Sequence, residues 1–477
     1  MQTIKSSLWI LVATLLMAGF ISCTPAVSEV GQTSIDNPKN IIILVSDGMG
    51  FNHLRATNYF HHGQDKAEPF QQPDWVHFAM ATYSSVVSVR GGDTVFSTGY
   101  NPRLAWSDHS YAWKDYTDSG AGATSLSTGK KSYNGSIGIG LRGDTLWHMS
   151  QSAKALGKAI GVVSSVPLSH ATPAGFLAHN EHRNNYAQIA RYMLFNTRAD
   201  VIMAPGNPDF NDDAQPHQSD GRYVGGRQLW EMLKVNDNRT VFELEEGMFS
   251  VKDATGNGQP DPWHLVQTRD EFLQLSQGTP PARVLGVPKV QSTLQQGRTK
   301  VDGHELPFNT PFNENIPTLV DLTTAALNVL NQNPNGFFVM IEGGAVDWAS
   351  HDNHSARMIE EQTDFNNAVR AVIEWVETYS SWEETLVIVT SDHECGYLTG
   401  PGEPNPVFQT VVNNGKGSLP GMQWNYGSHT NQLVPLYAKG PGAQYFRLMA
   451  RENDPVYGPF IQNTDIASLV FLMWGKP

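Results

Sequence analysis

The stretch Asn40-Ile41-Ile42-Ile43-Leu44-Val45-Ser46-Asp47-Gly48-Met49-Gly50 decides how the rest of the chain is read. Residues 41–45 are an unbroken apolar run of strand length that ends in a carboxylate and small residues. Runs of the same kind lie at 159–163, 201–204, 337–341, 386–390 and 433–438. Helix-period segments separate them. The clearest is 357–378, where Met358, Phe365, Val369, Val372 and Val376 share a face; a second carries Leu319, Leu322, Ala326 and Val329. Strands alternating with helices predict an α/β fold, a central mostly parallel sheet flanked by helices on both faces. The stretch 205–310 is rich in Pro, Gly, Asn and Gln, and reads as loop-rich elaboration on the same domain, because candidate site residues lie on both sides of it.

The chain of 477 residues carries 32 Lys+Arg against 46 Asp+Glu, a net charge of −14, which argues against a nucleic-acid binder. It leaves small anionic substrates open, because bound metal ions invert the local field. Residues 1–22 read as a signal peptide: Lys5 gives a basic start, and residues 8–21 form an apolar run too short to span a bilayer comfortably. The run ends in Phe20-Ile21-Ser22-Cys23, which resembles a bacterial lipoprotein signal with Cys23 as the lipidated residue. Phe20 stands where Leu is usual, and ordinary secretion is the alternative. Cys395 is the only other cysteine, so lipidation at Cys23 leaves no internal disulfide. The expected organisation is a tether over 23–39 and one catalytic domain over 40–477. The enzyme is then exported, periplasmic or in the cell envelope, and meets the membrane only through its lipid.

Ligands of open α/β sheets gather at the carboxyl ends of strands. There the sequence places Asp47, then Glu342 with Asp347 and His351 beyond it, then Asp392-His393, while His429 precedes the run at 433–438. Any one of these is unremarkable. Together, carboxylates with imidazoles suit Zn²⁺, and carboxylates with hydroxyls suit Mg²⁺. Asp118-Ser119-Gly120-Ala121-Gly122-Ala123-Thr124 adds a serine at the head of a small-residue helix, whose free N–H groups and dipole suit phosphate. A serine hydroxyl needs a base or a metal to become an alkoxide, and no Ser-His-Asp elbow is evident. Standing alone, the segment would read equally well as a helix packing site.

These segments jointly resemble the alkaline phosphatase family, from Asn40 to about Gly442. The matching blocks are residues 45–50, Asp118 to Thr124, Ala171-Thr172-Pro173-Ala174, Glu342-Gly343 with Asp347 and His351, Ser391-Asp392-His393, and Gly427-Ser428-His429-Thr430. The resemblance implies two Zn²⁺ and one Mg²⁺. Asp347, His351 and His429 would hold one zinc, at the leaving oxygen; Asp47, Asp392 and His393 would hold the other, which activates Ser119. Asp47, Thr172 and Glu342 would hold Mg²⁺. Two zincs about 4 Å apart clamp the attacking and leaving oxygens. Ser119 is then phosphorylated with inversion, and water releases phosphate with a second inversion, at an alkaline optimum. Pro173 is expected to hold the backbone beside Thr172 extended.

Arg183 falls where the family places its phosphate-binding guanidinium, a planar fork that suits the dianionic end of a monoester. The implied substrates are small phosphate monoesters, with a phosphodiesterase or sulfatase on the same scaffold as the alternative. A homodimer is also implied. His170 and Trp348 depart from the enteric bacterial pattern of Asp and Lys, and are similar to those of certain marine bacterial members. His170 reads as an imidazole behind the ligands rather than as one of them, which puts occupancy of the third metal site in question.

Asp253, Thr255, Asn257 and Asp261 are spaced partly like a calcium loop, but His264 stands at the twelfth position; a plain Asn-Gly turn is the preferred reading. His53, His61 and His62 read as surface or loop residues. His179 and His182 could line the pocket beside Arg183.

Overall fold

The computed structural model describes residues 37–90, 93–299, 306–402 and 409–475. Its main sheet is built from β1 (Asn40–Ser46), β2 (Val76–Ala81), β3 (Ala159–Ser164), β4 (Val201–Met203), β5 (His264–Val266), β6 (Val284–Gly286), β7 (Phe337–Gly343), β8 (Thr385–Thr390), β9 (Val434–Lys439), β10 (Glu452–Asp454) and β11 (Gly458–Gln462). The spatial order is β10-β11-β2-β9-β8-β1-β7-β3-β4-β6-β5. Seven neighbour pairs are parallel, and the three antiparallel ones, β8–β9, β9–β2 and β10–β11, lie on one side.

The opening stretch is the middle of this sheet. Ile41 is in register with Phe338 of β7 on one side and Leu386 of β8 on the other, both parallel. Every residue from Ile41 to Val45 is fully buried, as a strand covered on both faces must be. Ile41, Ile43 and Val45 join one core cluster with Leu126 of α2 (Ser119–Thr128) and Ile466 and Leu469 of α8 (Thr464–Trp474). Ile42 and Leu44 join the other with Leu322 and Ala326 of α5 (Leu319–Leu330) and Val369 and Val372 of α7 (Ser355–Tyr379). Truncating such a residue, as in Ile43→Ala, costs about 2–5 kcal/mol.

All six expected strands are present, and the two helical segments are α5 and α7. The stretch 205–310 is loop-rich as expected, yet it also carries short regular elements. It contributes β5 and β6, which extend the sheet beside β4, and helices at Arg227–Val235 and Arg269–Leu275. Strands of three residues carry too little pattern to register against so many turn formers. β2, β10 and β11 also lacked a signal; in β2 the run Val-His-Phe-Ala-Met-Ala mixes exposed and buried positions without clean alternation.

Candidate active site

Because β1, β7 and β8 are neighbours, their carboxyl ends deliver Asp47, Glu342 and Asp392 to one place. The chain leaves β1 through Gly48, at φ +79°, where a Cβ would stand 2.8 Å from the Asp347 Cα. Only glycine lets the two loops pass this closely. Beyond β7, α6 (Ala345–His351) puts Asp347 and His351 four residues apart on one face.

In the first cluster, Asp347 Oδ2 lies 3.4 Å from His351 Nε2, Asp347 Oδ1 lies 3.4 Å from His429 Nε2, and the two Nε2 atoms are 3.1 Å apart. His351 Nδ1 donates to the Gly427 carbonyl at 2.9 Å and His429 Nδ1 to the Thr117 carbonyl at 3.0 Å. A carbonyl only accepts, so each Nδ1 carries the proton and the Nε2 lone pairs face one another. A positive species between them, a proton or a metal ion, makes that contact favourable. Burial works against charge on Asp347, yet the imidazoles of His429 and His351 outweigh it and hold the carboxyl well below its usual range.

In the second cluster His393 Nε2 lies 3.4 Å from Asp47 Oδ1, 3.3 Å from Asp392 Oδ2 and 3.2 Å from Ser119 Oγ. The His393 and His429 rings stack with centroids 3.6 Å apart, so the clusters adjoin. On the far side of Asp47, Thr172 Oγ1 donates to Asp47 Oδ2 at 3.4 Å, while Glu342 Oε2 accepts from Ser164 Oγ at 2.5 Å. Burial pushes Asp47 well above its usual range, with Asp392 and Asp347 adding to it. Burial likewise lifts Glu342 to about 8 and Asp392 to about 6.

This crowding is the evidence for cations. Asp47 Oδ1, Asp347 Oδ1, Asp392 Oδ2 and Glu342 Oε1 are buried with no hydrogen-bond partner among the described residues, although buried polar atoms are normally paired. Unbalanced, so many carboxylates would be strongly destabilising. The donor chemistry fits: carboxylate with imidazole in the first two groups, oxygen alone around Thr172 and Glu342.

Ser119 opens α2, and Asp118 caps it by accepting from Ala121 N at 3.0 Å. Asp118 Oδ2 also accepts from Arg183 Nη1 at 3.0 Å, and Oδ1 accepts from Gly135 N at 2.9 Å. Asp118 therefore aims the arginine, a role the sequence did not disclose because the residue read only as the start of the serine segment. Arg183 precedes α4 (Tyr186–Phe195) and its side chain is 18% exposed, not a surface helix arginine. His170 packs against Trp348 and Tyr186, with ring centroids at 5.4 Å and 6.0 Å. Burial, with Arg183 nearby, lowers it to about 3, so it is a neutral imidazole. Arg183, His170, Trp348, Tyr116, Asp347 and His429 line an open cavity of about 690 Å³.

Several readings are corrected. Thr172 is not extended: it lies in the short helix α3 (Ala171–Gly175), with Pro173 in a first turn where its missing N–H costs nothing. His53 is not at the surface. It is fully buried on α1 (Phe51–His62), where Nδ1 accepts from Gly50 N at 3.1 Å. Its position 4.0 Å from Glu394 places it behind the site. His179 bonds Tyr192 and Leu146 instead of lining the cavity, and His182 is exposed. In the 253–261 loop, Asp253 accepts from the backbone N–H of Gly256, Asn257 and Gly258, and Asp261 from those of Ala254 and Thr255. Thr255 Oγ1 donates to Asp261 as well. The carboxylates are spent on holding a turn, in keeping with the preferred Asn-Gly reading.

Comparison with known proteins agrees with the geometry. The sequence profile described as alkaline phosphatase matches residues 38–453. Alkaline phosphatase 4 of Bacillus subtilis (strain 168) is 26% identical, over 91% of this chain and 88% of that protein. The alkaline phosphatase of Escherichia coli (strain K12) is 28% identical, over 86% and 82%. The solved structure of a cold-active alkaline phosphatase from Shewanella sp. superposes with a TM-score of 0.60 at 25% identity, covering 91% of this chain and 99% of that one. A profile match across most of the chain, joined to a sheet edge that gathers metal-ligand side chains around a serine, makes this chain a member of the alkaline phosphatase family.

Proposed function

We propose that this family member, a metal-dependent hydrolase of phosphate monoesters, works through a phosphoserine on Ser119 at alkaline pH. The observation that carries the reading is the convergence on His393 Nε2, which faces Ser119 Oγ and a carboxylate oxygen from each of Asp47 and Asp392. Asp47, Asp392 and His393 would hold a cation beside Ser119, where its charge would favour the alkoxide.

Asp347, His351 and His429 would hold one Zn²⁺, Asp47, Asp392 and His393 a second, and Asp47, Thr172 and Glu342 a Mg²⁺. When bound, these ions supply Lewis acidity that lowers the serine pKa and neutralises charge on the leaving oxygen. The protein does the rest. Asp118 holds Arg183 by one nitrogen, leaving the guanidinium fork to grip two non-bridging oxygens. The head of α2 turns backbone N–H groups toward the phosphate. Ser119 Oγ attacks phosphorus in line and the P–O bond to the alcohol breaks. Water then cleaves the Ser119–phosphate bond by a second in-line attack. Burial makes each charge interaction stronger than in water.

The phosphodiesterase or sulfatase alternative is not favoured, since Ser119 and Arg183 suit a dianionic ester. One catalytic domain over 40–477, export, a lipid anchor at Cys23 and a homodimer complete the proposal. Cys23 lies outside the described residues, and no helix among the described residues is long and apolar enough to cross a membrane.

The test is hydrolysis of an aryl phosphate monoester beside the matching diester and sulfate ester. Chelator-stripped protein is assayed alone, then with Zn²⁺, then with Zn²⁺ and Mg²⁺. Zinc-restored turnover favouring the monoester, with ³²P retained on Ser119 in acid-quenched samples, is expected. Faster diester or sulfate turnover overturns the substrate reading, and turnover without label on Ser119 overturns the intermediate.

A further inference from the structure

We propose that Cys395 is a fourth protein ligand to the metal ion of the first cluster, beside Asp347, His351 and His429. The proposal rests on the metal reading of that cluster and extends it to a residue the family resemblance did not assign. Cys395 belongs to a two-residue strand, Glu394–Cys395, paired antiparallel with His429–Thr430, and the register sets Cys395 directly opposite His429. Directly opposed residues project from the same face of a ladder, so the thiol follows the imidazole into the site. Its Sγ and one ligand atom from each of Asp347, His351 and His429 all lie within 4.8 Å of one another.

The surroundings favour a metal over a packing role. Cys395 is fully buried and forms no disulfide among the described residues. Among the described residues its thiol makes one weak polar contact, Sγ to the Asp347 carbonyl at 3.8 Å. A second, independent sign lies in the same cluster: the Asp347 side chain is 7% exposed, and its Oδ1 is buried without a hydrogen-bond partner among the described residues. The backbone fixes the thiol in place, since Cys395 N donates to the Gly48 carbonyl at 3.0 Å. One thiolate, two imidazoles and one carboxylate are all donors that zinc accepts, with a Zn–S bond of about 2.3 Å, and expansion to five-coordination keeps a position for the leaving oxygen. On binding, the S–H bond breaks, the proton leaves to solvent, and a sulfur lone pair forms the bond to the metal. No oxidant or reductant is involved.

Removing a group that merely orients a ligand weakens metal binding about 10–100-fold, so Cys395→Ser is expected to weaken the first site at least 10-fold. The decisive measurement is optical. The full chain is stripped with a chelator and titrated with Co²⁺ alone. Visible d–d bands report that the imidazole and carboxylate ligands hold the ion, whereas a near-ultraviolet thiolate-to-cobalt charge-transfer band reports sulfur. The charge-transfer band should appear in the native chain, persist in Cys23→Ser, and vanish in Cys395→Ser while d–d bands remain. With two cysteines in the sequence, Cys23→Ser leaves Cys395 as the sole thiol, so its spectrum decides even if Cys395→Ser fails to fold. Visible bands without charge transfer in Cys23→Ser overturn the role of Cys395 and leave the metal reading standing. No cobalt spectrum at all overturns both.

Discussion

Arg183 Nη1 donates to Asp118 Oδ2 at 3.0 Å, and the same Asp118 caps the helix that Ser119 opens. One carboxylate thus ties the position of Arg183, the proposed phosphate grip, to that of Ser119, the proposed nucleophile. Asp118→Ala should raise KM for phosphate monoesters about 10-fold or more, the loss of a hydrogen bond to a charged group being worth about 1.5–3 kcal/mol. Loss of the cap should also lower stability by about 1 kcal/mol. Steady-state kinetics and thermal melts check both; an unchanged KM would mean that Arg183 is held by other contacts.

Arg183→Ala should lower kcat/KM for an aryl monoester about 10–100-fold. The matching diester presents one negative charge and should lose much less, so the ratio of the two rates narrows. A ratio that stays constant would remove the arginine from the specificity argument.

Stripping the metals should lower the melting temperature, because Asp47, Asp392 and Glu342 then crowd together with orphaned oxygens. Restoring Zn²⁺ should raise it in a concentration-dependent way, as expected for a ligand bound by the folded state alone. Differential scanning calorimetry tests this, and a melt indifferent to chelator would contradict the ion-filled site.

Glu361 supplies a stability test away from the metals. It is buried on α7, and burial, with Asp364 adding to it, lifts its carboxyl from 4.5 to about 8. An acid whose folded value lies above its unfolded value binds more protons when folded. Its contribution to stability is therefore fully present below pH 4.5 and is lost as pH rises towards about 8. The slope is at most about 1.4 kcal/mol per pH unit. Glu361→Gln should flatten the fall in stability between pH 5 and 8 (roughly the window of the linkage relation). Parallel denaturation curves for the two proteins across that range would refute the assignment.

The site was more legible than the sheet around it. Strand interiors such as 41–45 announce themselves by composition, and their downstream acids follow at once. What escaped notice depends on contacts between distant segments. Asp118 shows its second role only when Arg183 folds against it. Cys395, read from sequence only for its bearing on disulfides, gains meaning from its register with His429. His53 was misread because the buried side of α1 includes Asn52, Thr57 and Asn58, so the apolar periodicity that marks a buried helix face is diluted. The calcium-like spacing at 253–261 shows why the plain turn is the preferred reading there, since backbone amides can claim the same carboxylates.

The central place of β1 also governs when the enzyme comes to life. The first strand to be synthesised has β7 and β8 as its neighbours, with Ile41 waiting for Phe338 and Leu386. Contacts of such long sequence separation form late, because the loop must close before they reward it. In the proposed assignment Asp47 therefore lacks its zinc partners until Asp392 and His393 have been made, and the first cluster waits further, for His429. A nascent chain, or a fragment cut short before His429, carries Ser119 and Arg183 without a complete catalytic centre. Competence arrives as a single late event.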